Sequence, residues 1–167
     1  DEPPIYLKYY ETVFNKPNAI IYNTSEEKEF IIKKFHNEGI PSIVAGVGID
    51  LPDLKQLPDI KKMTDSEEYL VYVGRIDESK GCGTLFEYFK EYKERNKNNL
   101  KLILVGKAVM DIPKTGDIIS LGFVEEKEKF AILKNAKALV LASEFESLSM
   151  VVLESLIMGI PVIVNGK

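Results

Sequence analysis

The sequence predicts an α/β fold built on a doubly wound parallel sheet, and three observations predict it. Apolar runs alternate with helical stripes from Tyr69 onward. The first of them, Tyr69–Val73, is continuous and stops at Gly74, as a strand covered on both faces does. The segments between them carry one apolar face and one charged face. Strand–helix alternation of this kind implies right-handed crossovers between parallel strands, a Rossmann-like arrangement.

The elements follow in order. Tyr69–Val73 is the first strand of the regular unit and ends at Gly74. The next helix sets Cys82, Leu85, Phe86, Phe89 and Tyr92 on one side, with Lys90, Glu91, Lys93 and Glu94 largely opposite. Leu100–Val105 is the second strand, stopped by Gly106, and Ile118–Leu121 is the third. Residues 126–134 form a short helix with Phe130 and Leu133 inward. Ala138–Ala142 is the fourth strand. Leu148, Val151, Val152, Leu156 and Ile157 mark a further helix, with Gly159 as its C-cap and Pro161 just past it. Pro161–Val164 is the fifth strand. No internal repeat interrupts this order.

The N-terminal third has a looser rhythm. Ile5, Tyr6, Tyr9, Tyr10, Val13 and Phe14 make a helical stripe that Pro17 ends. Ala19–Tyr22 is a short strand. Thr24 and Glu27 form a capping box that opens a helix with Phe30, Ile31 and Phe35 on one face, ending before Gly39. Ile43–Ala45 is another strand. Residues 50–66 hold two prolines and no clear period, so they are expected to link two domains. The boundaries are then 1–50, 51–66 and 67–167.

Composition narrows the function. The chain has 167 residues and a net charge of −4, so no broad basic face is available for a nucleic acid. Its single cysteine, Cys82, excludes an internal disulfide and fits a reducing, cytoplasmic compartment. One histidine, His36, and one cysteine are a poor ligand set for zinc. The acidic start lacks the pattern of a signal peptide, and no apolar run approaches the roughly 20 residues of a spanning helix.

In a doubly wound sheet, ligands bind beyond the carboxyl ends of the strands. Gly74–Gly83, Gly106–Lys107, Gly122–Val124 and Ser143–Met150 are therefore candidates. Arg75 and Lys80 put two cations beside a helix start, a site suited to a diphosphate. A tight turn flanked by solvated charges explains that segment equally well. Gly81-x-Gly83 and Gly46-x-Gly48 lack the third glycine of a dinucleotide fingerprint, with Phe86 and Leu51 in its place. Glu146 before a helix and Glu154 inside it could accept from sugar and ribose hydroxyls. With 26 acidic residues in the chain, such pairs also arise by chance. Ser147, Leu148, Ser149 and Met150 offer free N–H groups at the helix start, although Ser147 or Ser149 is equally an N-cap.

Taken in order, these segments resemble the retaining GT-B glycosyltransferases of family 4. The resemblance rests on Tyr72-Val73-Gly74-Arg75-Ile76 with Lys80-Gly81, on Leu102–Gly106, on Leu121-Gly122-Phe123-Val124, on the Glu-x7-Glu block from Ser143 to Ser155, and on Met158-Gly159-Ile160-Pro161-Val162. It implies a nucleotide-sugar donor, UDP-, GDP- or ADP-linked, and transfer of its sugar with retention and without a metal or other cofactor. It implies that Arg75 and Lys80 bind the donor diphosphate, Glu146 the sugar and Glu154 the ribose. Residues 147–150 would face the phosphate or sugar, the Gly122–Val124 turn would border the base, and Gly106 would belong to the same donor site. It further implies that residues 1–50 are the C-terminal remnant of an acceptor domain whose remainder precedes Asp1, and that the sheet continues past Val164. The sequence is thus expected to be a fragment of an enzyme, with its donor-binding domain at 67–167 truncated at the C-terminus, and inactive by itself. Glycan synthesis for the cell envelope, with peripheral membrane attachment through the acceptor domain, fits the same family. Where the family carries Gly-Phe-Gly after the first glutamate, this chain has Ser147-Leu148-Ser149, which bears on sugar preference. Two other functions fit the same residues: a non-catalytic nucleotide- or partner-binding module, and a different GT-B reaction such as sugar epimerisation.

Overall fold

The computed structural model describes residues 4–64, 66, 68–144, 146 and 148–165, with side chains from Lys8 onward. The chain divides into two compact units at Gly48 and Ile49.

The first unit holds α1 (Pro4–Asn15), β1 (Ile20–Tyr22), α2 (Ser25–Phe35) and β2 (Ser42–Val44). The two strands pair in parallel, Ile21 beside Ile43. Thr24 caps α2 as its spacing predicts, its hydroxyl accepting from the Glu27 N–H at 3.0 Å. The Glu27 carboxylate accepts from the N–H of Asn23 at 2.8 Å, one residue ahead of the cap. Ile31 and Phe35 stand one turn apart and bury together with Tyr22, while Phe14 stacks on Phe35 at 4.9 Å. Phe30 was expected on that face, yet it is exposed. Adjacent helical residues point about 100° apart, so Ile31 and Phe30 cannot share one narrow contact. His36 closes α2 in the left-handed region at φ 53° and is exposed. Of the α1 stripe, Tyr9 and Val13 are exposed and Phe14 is packed.

The second unit holds α3 (Lys61–Thr64), β3 (Tyr69–Val73), a 3-10 turn (Glu78–Lys80), α4 (Cys82–Arg95), β4 (Lys101–Val105), β5 (Ile118–Gly122), α5 (Glu126–Asn135), β6 (Ala138–Leu141), α6 (Met150–Ile157) and β7 (Val162–Val164). All five strands are parallel, in the order β5-β4-β3-β6-β7. Tyr72 lies beside Leu104, and Leu70 beside Ala138. The core is the apolar filling of β3, β4 and β6 against α4 and α5, with Val71, Leu102, Ile103, Leu104, Phe130 and Leu139 fully enclosed. Full burial of one such aliphatic side chain stabilises by about 1.5–3 kcal/mol. The Tyr69 hydroxyl donates to the Ile132 carbonyl at 2.8 Å, so the buried phenol is satisfied. The stretch expected to be a plain connection contains the α3 turn, with Ile60 and Thr64 buried. Four residues are too few to show a helical period.

Strand order fixes where a ligand can enter. From β3 the chain moves outward through β4 to β5, then crosses back to place β6 and β7 on the other side of β3. The topological switch point therefore lies between the carboxyl ends of β3 and β6.

Candidate functional site

One wall of the switch point is the corner after β3. The Gly74 N–H extends the ladder to the Val105 carbonyl at 2.9 Å. Gly106 has φ 137°, and a Cβ there would sit 2.0 Å from the Gly74 carbonyl oxygen. The two strand ends touch backbone to backbone, which only glycine permits. The Tyr72 hydroxyl donates to the Arg75 carbonyl at 2.7 Å, and burial pushes its ionisation well above the ordinary range. Arg75 is exposed, and its Nε pairs with the Asp77 carboxylate. Asp77 is buried and caps the 3-10 turn, accepting from the Lys80 N–H at 3.0 Å and from the Ser79 hydroxyl at 2.6 Å. The Ser79 hydroxyl is the main reason its carboxyl lies below the usual range; Arg75 and the Lys80 N–H add to it against partial desolvation. Gly81 follows at φ 69°, so close to β6 that a Cβ would lie 2.3 Å from the Ala142 carbonyl oxygen.

The other wall follows β6. Lys80 Nζ donates to Glu146 Oε1 at 2.8 Å, joining residues 66 apart in sequence across the switch point. Both side chains are about one-third exposed, at 35% and 34%. A cavity of about 230 Å³ opens here, lined in part by Gly74, Lys80, Glu146, Leu148, Ser149 and Met150. Ser149 occupies the N-cap position of α6 without a hydroxyl cap bond, and Leu148 is half-buried. Ser147, named with them from the sequence, lies outside the described residues. Two larger grooves, of about 650 and 860 Å³, border the flanks of α4 rather than the facing pair at the switch point.

The remaining candidates sit apart from that cavity. Glu154 is the fifth residue of α6, a little over one turn inside it. It is 8% exposed and accepts from Lys129 Nζ at 2.8 Å. The Lys129 ammonium also lies 4.2 Å from the Phe130 ring centroid. Gly122 ends β5 at φ 67°, its carbonyl accepting from the Gly106 N–H at 2.7 Å. Phe123 beside it is 89% exposed, whereas the Val124 side chain belongs to the core, so this turn presents Phe123 and backbone.

Sequence reasoning did not single out Asp77 or Lys129. An Asp three residues before Lys80 is a legible N-cap signal. Nothing in the sequence signals the Lys129–Glu154 pair, because it joins two elements 25 residues apart. Among the described residues, no three His, Cys, Asp or Glu side chains gather as metal ligands would. No described helix is long and apolar enough to cross a membrane.

Comparison with known proteins places this geometry in context. A family model described as Glycosyl transferases group 1 matches residues 55–166. An uncharacterized glycosyltransferase of Methanocaldococcus jannaschii is 26% identical over 167 residues, covering 93% of this chain and 38% of its own. An uncharacterized 41.2 kDa protein in the cps region of Klebsiella pneumoniae is 26% identical over 170 residues, covering 97% of this chain and 46% of its own. The chain thus spans less than half the length of these relatives. Among solved structures, sucrose-phosphate synthase from Thermosynechococcus elongatus superposes with a TM-score of 0.72 at 20% identity, over 99% of this chain and 45% of that one. TarM of S. aureus, solved in complex with UDP, superposes with a TM-score of 0.73 at 16% identity, over 94% of this chain and 31% of that one. The fold is that of GT-B glycosyltransferase domains.

Proposed function

The chain belongs to the glycosyl transferases group 1 family, and from that premise we propose that it carries the donor-binding corner of an enzyme that moves a sugar from a nucleotide sugar to an acceptor. The observation that carries this reading is the Lys80–Glu146 pair facing across the switch point above the Gly74 corner. A cation and a carboxylate placed this way can divide one ligand between them. Lys80 and Arg75 take the diphosphate, and Glu146 accepts from sugar hydroxyls. The cavity of about 230 Å³ is smaller than the roughly 300–1,000 Å³ of a site that encloses a whole ligand. It fits the diphosphate–sugar junction, with the nucleoside lying outward toward Glu154 and Phe123. TarM's complex with UDP is in keeping with a nucleoside diphosphate here.

Chemically, departure of the nucleoside diphosphate concentrates negative charge on phosphate oxygens. Two cations at this corner stabilise that charge more in the transition state than in the ground state. In this reading the cations serve where a resident metal serves elsewhere, and transfer proceeds with retention, as in family 4. An acceptor domain elsewhere in the protein supplies the second substrate. The single buried cysteine, Cys82, fits work in the cytoplasm.

The test is ligand-observed NMR with UDP-, GDP- and ADP-linked sugars on the full-length protein carrying this chain. Binding of one of them, lost in Arg75→Ala and Lys80→Ala, is the expected result. Unchanged binding in both variants would remove the phosphate assignment.

A further inference from the structure

We infer that Asp77 is a positioning residue for the phosphate corner, acting through Arg75 and Lys80 without touching the ligand. The inference rests on the diphosphate reading above and adds to it a residue with no assigned role. Its basis is geometric. One buried carboxylate accepts from three groups: the Arg75 guanidinium at Nε, the Ser79 hydroxyl at 2.6 Å and the Lys80 backbone N–H at 3.0 Å. The first and third belong to the two residues that supply the cations.

The arrangement leaves the working ends free. Arg75 is held by its Nε, and its Nη2 reaches the Ser79 hydroxyl only at 3.5 Å. A guanidinium has five donors in a planar fork, so the terminal nitrogens still present an edge that can bind two phosphate oxygens. The Arg75 side chain is 60% exposed. Without an anchor it would sample many rotamers and lose that freedom on binding. The Arg75 main chain is fixed separately, by the Tyr72 hydroxyl on its carbonyl at 2.7 Å. Asp77 thus anchors the side chain where Tyr72 anchors the backbone, and through the Lys80 N–H it also sets the base of the second cation. Gly81 presses this turn against the Ala142 carbonyl, so the carboxylate is carried on a fixed support.

A carboxylate paired with the Arg75 guanidinium could instead compete with phosphate for it. The two roles predict opposite signs, which makes the experiment decisive. Affinity for UDP, GDP and ADP as probes is measured by calorimetry on the full-length protein, in the wild type, Asp77→Asn, Arg75→Ala and the double variant. Positioning predicts that Asp77→Asn weakens binding about tenfold, the size of one lost charge-assisted contact. It also predicts a clearly smaller loss when Arg75 is already alanine. In NMR spectra the Arg75 Nε–H signal loses protection from exchange in Asp77→Asn while the amide spectrum stays dispersed. If the Asn variant does not fold, Asp77→Glu keeps the charge and lengthens the arm; it is expected to bind less tightly than wild type. Unchanged or tighter binding in the variant that folds overturns the inference and leaves the diphosphate reading standing. An equal loss with and without Arg75 likewise overturns it. Failure of the wild type to bind any of the three probes overturns both.

Discussion

Replacing Gly106 by alanine tests the corner on which the site is built. A Cβ at this position would lie 2.0 Å from the Gly74 carbonyl oxygen, far inside any contact real side chains make. The obstacle is backbone belonging to the next strand end, so no rotamer change relieves it. The φ of 137° adds strain for a residue with a side chain. Such backbone strain costs about 1–3 kcal/mol, and overpacking a rigid site costs about 1–3 kcal/mol more, for a sum of about 2–6 kcal/mol. At roughly 4 °C per kcal/mol for a unit of this size, the melting temperature falls by about 8–24 °C. Differential scanning calorimetry reads this directly. Gly116→Ala serves as the control, since nothing lies within 4 Å of its added Cβ; a change within about 0.5 kcal/mol is expected there. A Gly106→Ala variant melting as the control does would show that the two strand ends do not meet as described, and the Gly74 corner would lose its support.

Three further outcomes follow from the same geometry. The Asp77 carboxyl is held below its ordinary value of 3.8, chiefly by the Ser79 hydroxyl. The unfolded chain therefore takes up this proton more readily. The stabilisation is complete above the ordinary value and fades as pH falls toward the folded-state value, so Asp77→Asn should flatten the acid side of a melting-temperature profile; an unchanged profile counts against the contact. Lys129→Met leaves the nearly enclosed Glu154 carboxylate without its 2.8 Å partner, and a loss of about 1–3 kcal/mol in denaturant unfolding is expected. Cys82 is fully enclosed and burial pushes its thiol up, so it should resist a thiol reagent until the chain unfolds, and fast labelling of the native protein would contradict that enclosure.

How much of this was legible depends on how local each cause is. The central strands β3 and β6 were visible because a strand covered on both faces is apolar throughout, and Tyr69–Val73 also stops at a turn, at Gly74. The Thr24 cap was visible because its hydrogen bond spans three residues. The order of the sheet was not, since nothing local to Ala138–Leu141 says that it pairs with β3 rather than β5. For the same reason the sequence proposed four strand ends around one crevice, whereas the cavity is walled chiefly by two, with Glu154 turned to Lys129 instead. Phe30 points outward although it belongs to the apolar stripe, because a stripe does not say which of two adjacent large residues takes the inward position. Asp77 is legible in the sequence only as an N-cap, since its burial and its pairing with Arg75 depend on the folded turn.

The weakness of the Lys80–Glu146 pair is itself informative. Ion pairs at one-third exposure contribute about 0–1 kcal/mol to stability, against the much larger contribution of the apolar sheet. The pair is therefore not what holds β3 and β6 together, since their ladder and the shared core already do so. A contact that stabilises little is also cheap to exchange. In the proposed reading a diphosphate draws Lys80 to itself at small cost, and the same step frees Glu146 to accept from a sugar hydroxyl. Glu154, more enclosed and paired with an ammonium that also rests on Phe130, is harder to release. The two carboxylates eight residues apart thus differ in what they can do: Glu146 suits a group that changes partners when ligand arrives, and Glu154 one whose carboxylate stays in place while a ligand hydroxyl joins it.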